Sequence, residues 1–213
     1  MRIIFLVVLL ISFLLPAFSQ ESRLNFEVYK KDKAMYKGIT DDPLIMLALD
    51  EMVGTRGEFS RKAILGNNVS GKAIKILFRN LTEIDPKYKD FDAIGWKKNG
   101  QLHILINNKN KNAPPEALAA LLSHEAIHQD DYNSKTEETY AWSLEAAVWS
   151  DLVKKNSSLE KIHQDEFPLV NRMVILSKMY TDAGNSSRLI RQKIFSCADY
   201  KDLPLYSPGF EKH

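Results

Sequence analysis

Cysteine is almost absent: Cys197 is the only one in 213 residues. No internal disulfide can form, so the chain must be held by an ordinary hydrophobic core rather than by covalent staples. The single thiol reads as a small buried apolar residue. An excess of one charge is missing too. Lysine and arginine number 29 against 27 aspartates and glutamates, a net charge of +2. The signs are interspersed and form no basic stripe, which argues against a nucleic-acid partner. Beyond residue 15 no apolar run approaches the roughly 20 residues that a membrane-spanning helix requires.

The one continuous apolar run lies at the start. Met1-Arg2 is a short basic segment, residues 3–15 are apolar, and Pro16-Ala17-Phe18-Ser19 ends the run with small residues where a signal peptidase reads. This predicts a signal peptide over residues 1–19 and a mature protein that is secreted or periplasmic, with no membrane attachment after cleavage. No cysteine follows the apolar run, which argues against a lipoprotein. Residues 20–213 are enough for one domain with a real core and too few for two ordinary ones.

Histidine is scarce, five in all, yet two stand four apart in Ser123-His124-Glu125-Ala126-Ile127-His128-Gln129. On a helix that spacing puts both imidazoles on one face, one turn apart, within reach of a single metal ion; zinc is the usual choice for such ligands. Asn112, Pro114 and Pro115 predict the helix start, and Glu116-Ala117-Leu118-Ala119-Ala120-Leu121-Leu122 continues it with strong helix formers. Glu125 would then sit beside the metal.

The flanking stretches can be read in the same way. Asp42-Pro43 caps a helix with an apolar stripe of Leu44, Leu47, Ala48 and Met52. Residues 73–81 alternate with period two and predict a strand. Residues 92–96 and 102–106 predict two more, joined by the hairpin dipeptide Asn99-Gly100. The expectation is an α+β fold, a short antiparallel sheet packed on the histidine helix with several helices after it. His103 falls on the sheet and reads as a structural histidine. Asn133 or Ser134 caps a helix over residues 135–153, with Ala141, Leu144, Val148 and Leu152 as its buried stripe. Trp142 and Trp149 on that helix read as packing residues. His163, beside Asp165 and Glu166, reads as a surface histidine rather than a transition-state donor.

A strand, a hairpin and then an H-E-x-x-H helix resembles the zincin metallopeptidases, over roughly residues 73–152. The resemblance implies bound Zn2+, a peptide or protein substrate, and Glu125 as the general base. It also sorts the third ligand. A metzincin carries glycine at 131 and histidine at 134, where this chain has Asp131 and Ser134. The gluzincins take a glutamate from a following helix, and Glu138-Thr139-Tyr140-Ala141 is similar to their pattern. This implies His124, His128 and Glu138 as the metal set, with Glu137, Glu145 and Asp131 as alternatives for the third position. Many gluzincins place an aspartate four residues after that glutamate to orient a histidine. Here the position is Trp142, so Asp130 or Asp131 is expected to hold the ring nitrogens. Two other functions compete with a peptidase: a zincin-fold binding protein with a structural zinc, and a metal-free interaction protein.

Overall fold

The computed structural model describes residues 34–129, 131–162 and 164–211. The expected signal peptide, Asp130 and His163 lie outside the described residues. The chain divides into two units, residues 1–37 and 38–213. Residues 34–37 of the first form a turn, and all the elements below belong to the second.

Six α-helices and one small sheet make an α+β architecture among the described residues. Helix α1 (Pro43–Glu51) starts where Asp42 accepts hydrogen bonds from the Leu44 and Ile45 amides, with proline in its first position. Its buried side is Ile45, Met46, Ala48 and Leu49, while Leu44 and Leu47 of the expected stripe are half-buried. Helix α2 (Glu58–Ile64) follows. Strands β1 (Lys75–Arg79), β2 (Ala93–Lys98) and β3 (Gln101–Asn107) pair in the order β1-β3-β2. Asn99 and Gly100 both adopt positive φ, 53° and 72°, the conformation that a two-residue hairpin turn demands.

The expected all-antiparallel sheet needs correction. β2 and β3 are antiparallel, but β1 and β3 are parallel, Ile76 opposite Ile104 and Phe78 opposite Ile106. A parallel neighbour requires a long crossover. The stretch between β1 and β2 supplies it through two 3-10 turns, Leu81–Glu83 and Pro86–Asp90. Leu81, Ile84 and Tyr88 from that crossover pack with Ile94 and Leu105 on one face of the sheet. By strand alternation Ala93, Gly95, Ile104 and Ile106 share the other.

Helix α3 (Pro115–Glu125) is the centre of the molecule. Every residue from Ala117 to Glu125 is buried, because α1, α2, α4 (Lys135–Lys155), α5 (Pro168–Asp182) and β2 all pack around it. An apolar sequence without a polar face suits a helix enclosed on all sides. Helix α6 (Arg188–Ser196) closes the bundle against α4 and α5 through Ala146, Leu176, Ile190 and Ile194. Trp149 is buried, in line with a packing role. Cys197 is half-buried at the end of α6, its Sγ 3.7 Å from Asp199, and so is not the core residue expected. No helix among the described residues is long and apolar enough to cross a membrane.

One contact at the base of the bundle leaves no spare volume. A Cβ on Gly57 would stand 2.6 Å from Ser123 Oγ and 3.2 Å from a methyl of Val148. The Ser123 hydroxyl cannot easily retreat, being buried and bonded to the Ala119 carbonyl at 2.8 Å. Gly57→Ala is therefore expected to lower unfolding free energy by about 1–3 kcal/mol, the usual cost of overpacking. Denaturant unfolding measures it, and a variant as stable as wild type would show that α2 can back away from α3.

Candidate metal centre

The last turn of α3 delivers His124 and Glu125. The helix stops there: Ala126 is its C-cap, and the Ile127 amide turns back to the His124 carbonyl at 2.9 Å. His128 thus stands just beyond the helix, not one full turn along it as the spacing implied. It lies against the backbone of β2, where a Cβ on Gly95 would be 3.7 Å from His128 Cβ. The two rings nevertheless meet edge to face, with their Nε2 atoms 3.3 Å apart.

Helix α4 brings three carboxylates to these rings. Its N-cap is Ser134, whose hydroxyl accepts the Glu137 amide at 3.1 Å. Ser134-x-x-Glu137 is the sequence of a capping box, in which the glutamate folds back on the cap amide. Here Asn133 Oδ1 takes the Ser134 amide at 2.7 Å, and Glu137 is free to turn to His128. His128 Nδ1 donates to Glu137 Oε1 at 2.9 Å, and His124 Nδ1 donates to Glu145 Oε2 at 3.1 Å. A carboxylate only accepts, so each bond puts hydrogen on Nδ1 and turns Nε2 inward. Glu138 faces both Nε2 atoms, its oxygens 3.8 Å from His124 and 3.6 Å from His128. Asn133 Nδ2 holds one of them with a 2.6 Å bond.

Of the alternatives for the third position, Glu138 is the one that faces both inner nitrogens. Glu137 and Glu145 lie behind the histidines, in the role expected of Asp130 or Asp131. Asp131 is well exposed and pairs with Lys97 at 3.2 Å. His103 bonds within its own strand, Nδ1 to the Gln101 carbonyl at 3.0 Å.

His124, His128 and Glu138 offer ligand atoms that lie within 4.8 Å of one another, and this group could hold a metal ion. Three features fit one. Two imidazole nitrogens bound at about 2.0–2.1 Å in tetrahedral geometry stand roughly 3.3 Å apart, the separation found here. Glu138 Oε2 is buried without a hydrogen-bond partner among the described residues, a costly state for an acceptor unless a cation takes it. Glu125, Glu137, Glu138 and Glu145 are all buried together, and buried charges need balancing. Burial works against a charged His128, yet the bond to Glu137 and the charges of Glu138 and Glu125 outweigh it and raise its pKa to about 9. The surrounding field favours positive charge.

Glu125 is also buried, which pushes its carboxyl above the ordinary range despite the opposing pull of the two histidines. It opens on a cleft of about 640 Å³ shared with His124, His128 and Glu138, with β2 along one wall. Trp142, expected to be packing only, is half-buried and also lines this cleft, 6.5 Å from the His124 ring. Burial and the charge of Glu138 hold the phenol of Tyr200, set edge-on to Trp142 at 6.0 Å, in its neutral form.

Two residues of this centre had no signal in the sequence. Arg172 of α5 donates to Glu145 Oε2 at 2.6 Å and to Asp92 at 2.7 Å, and lies over the Trp142 ring at 5.2 Å. Ser207 donates to Glu137 Oε2 at 2.6 Å. Comparison with protein families, with curated proteins and with solved structures finds no match to this chain.

The partition between ligands and their supports has a measurable consequence. His124→Ala, His128→Ala and Glu138→Ala are each expected to abolish stoichiometric metal. Glu137→Gln and Glu145→Gln are expected to keep it with affinity lowered about 10–100-fold, the usual effect of losing such a support. Metal titration of the purified variants checks this; loss of metal in Glu137→Gln with retention in Glu138→Ala would exchange their roles.

Proposed function

We propose that this protein is a zinc-dependent peptidase of gluzincin type, working outside the cytoplasm once residues 1–19 are removed. One observation carries the reading: His124, His128 and Glu138 converge in a cleft that also holds a buried Glu125 and runs along a free strand edge. A zinc ion held by the three ligands would supply a Lewis acid that lowers the pKa of water to about 7. Glu125 follows His124 in the chain, so it leaves α3 about 100° further round the helix, and with zinc bound it would serve the activated water rather than the ion. Its raised pKa brings it nearer to neutral pH, where a general base works best. It accepts the proton as water attacks the peptide carbonyl and returns it to the leaving amine.

The free edge accounts for substrate binding. With a two-residue turn at Asn99-Gly100, the pairs Lys98–Gln101, Trp96–His103 and Ile94–Leu105 exchange hydrogen bonds across the hairpin. The amides and carbonyls of Ala93, Gly95 and Lys97 then point away from β3 and along the cleft. An extended peptide can add there as a further strand, gaining affinity from its main chain with little demand on its sequence.

Chemistry and docking are tested separately. Glu125→Gln keeps the side-chain size but cannot accept a proton. It is expected to retain zinc and thermal stability while hydrolysis of an unfolded protein falls about 10²-fold or more. Unchanged turnover would move the base elsewhere. Wild-type protein that holds zinc but cleaves nothing would favour the binding-protein alternative.

Gly95→Pro removes one outward amide without breaking a bond to β3. The expected result is a higher KM with zinc content unchanged, whereas Ile94→Pro breaks the hairpin ladder and should cost stability. Wild-type kinetics in Gly95→Pro would place the substrate on another surface.

A further inference from the structure

After α6 the chain runs through a short 3-10 turn, Ala198–Tyr200, into an irregular tail. This tail returns to the first turn of α4, the helix that carries all three carboxylates of the metal centre. The Lys135 amide donates to the Pro204 carbonyl at 2.9 Å and the Thr136 amide to the Leu205 carbonyl at 3.2 Å. Those are amides that a helix cannot satisfy from within itself. Thr136 Oγ1 adds a 2.7 Å bond to the same Leu205 carbonyl.

Beyond this clasp the tail places one side chain inside the protein. Ser207 is 6% exposed. Its hydroxyl donates to Glu137 Oε2 at 2.6 Å and lies 3.0 Å from the hydroxyl of Ser134, the N-cap that holds the Glu137 amide. Glu137 is thus fixed at both ends, and its other oxygen, Oε1, takes the proton of His128 Nδ1. The constraint bears on His128 most heavily, because that residue stands past the end of α3 and lacks the helix that aims His124.

We propose that Ser207 is a positioning residue of the metal centre. Through Glu137 it sets the ring of His128, so the centre reaches full affinity only when residues 204–207 have docked on α4. The proposal rests on the metal reading of His124, His128 and Glu138, and metal affinity tests it without reference to catalysis. A hydroxyl that merely filled space would act independently of Glu137; one that acts through Glu137 has nothing left to do once that carboxylate is gone.

The test uses the full mature chain. Zn2+ affinity is measured by competition with a chromogenic chelator, and the Co2+ absorption spectrum is recorded, for wild type, Ser207→Ala, Glu137→Gln, the double variant and Ser207→Thr. Ser207→Ala is expected to bind Zn2+ about tenfold more weakly with an altered Co2+ spectrum, in the range seen for such supports. The double variant should be no weaker than Glu137→Gln alone, and Ser207→Thr, which keeps the hydroxyl, should restore affinity and spectrum. If Ser207→Ala does not fold, the threonine variant and truncation from residue 207 onward in the Glu137→Gln background give the same comparison. Wild-type affinity in Ser207→Ala, additive losses in the double variant, or a threonine variant as weak as alanine would each overturn the proposal alone. A wild-type chain that takes up neither Zn2+ nor Co2+ would overturn the metal reading and the proposal together.

Discussion

The structure depends on two hydrogen bonds that tie the end of α3 and the residues just past it to α4: His124 to Glu145 and His128 to Glu137, at 3.1 and 2.9 Å. Each occupies the outer nitrogen of an imidazole and leaves the inner one facing its neighbour. Without them the rings could turn about their side-chain bonds, and the two Nε2 atoms would have no reason to meet. Both acceptors, and Glu138 that faces the rings, lie on the single 21-residue helix α4. The docking of α4 on the enclosed α3 is consequently the event that assembles the centre.

Gathering these carboxylates is expensive. A buried carboxylate without a partner is strongly disfavoured, and burying several together adds repulsion. The protein offsets this unevenly. Glu145 shares one oxygen between His124 and Arg172, and Arg172 is itself anchored by Asp92 next to β2. Burial raises the pKa of Asp92, but the Arg172 charge outweighs it and keeps the carboxyl below its usual range. Glu137 is held by His128 and Ser207, and Asn133 holds one oxygen of Glu138. Among the described residues, two fully buried carboxylate oxygens of this centre lack a hydrogen-bond partner, Glu138 Oε2 beside the two imidazole nitrogens and Glu145 Oε1 behind them. The electrostatics therefore concentrate unmet demand for positive charge at the position where three ligand atoms converge.

The hairpin serves the same region from the other side. β2 is an edge strand, and an open edge invites pairing with any extended chain. Lys97, bridged to Asp131 at 3.2 Å, puts a charge on that edge. Gly95 of β2 lies next to His128, where a Cβ would stand 3.7 Å from His128 Cβ, so the wall of the cleft and this histidine are neighbours. Asp92, at the entry to β2, connects the same strand through Arg172 and Glu145 to His124. Cleft wall and both histidines thus form one mechanical unit.

Local chemistry was legible in the sequence wherever neighbours along the chain decide the outcome. The Asn99-Gly100 turn, the apolar run of α3 and the cap at Ser134 all involve residues within a few positions of each other, and each stands where its pattern implied, while His124 and His128 meet although α3 ends before His128. The three glutamates of α4 could be named but not told apart: Glu138 and Glu145 are seven residues apart on one face, Glu137 is adjacent, and only the angle at which α3 docks decides which of them faces Nε2. Strand direction was hidden for a similar reason, since period-two alternation reads the same in a parallel or an antiparallel neighbour. Arg172 and Ser207 reach their glutamates across 27 and 70 residues. Such bonds follow from tertiary packing alone, because no local pattern encodes which distant donor a buried carboxylate will meet.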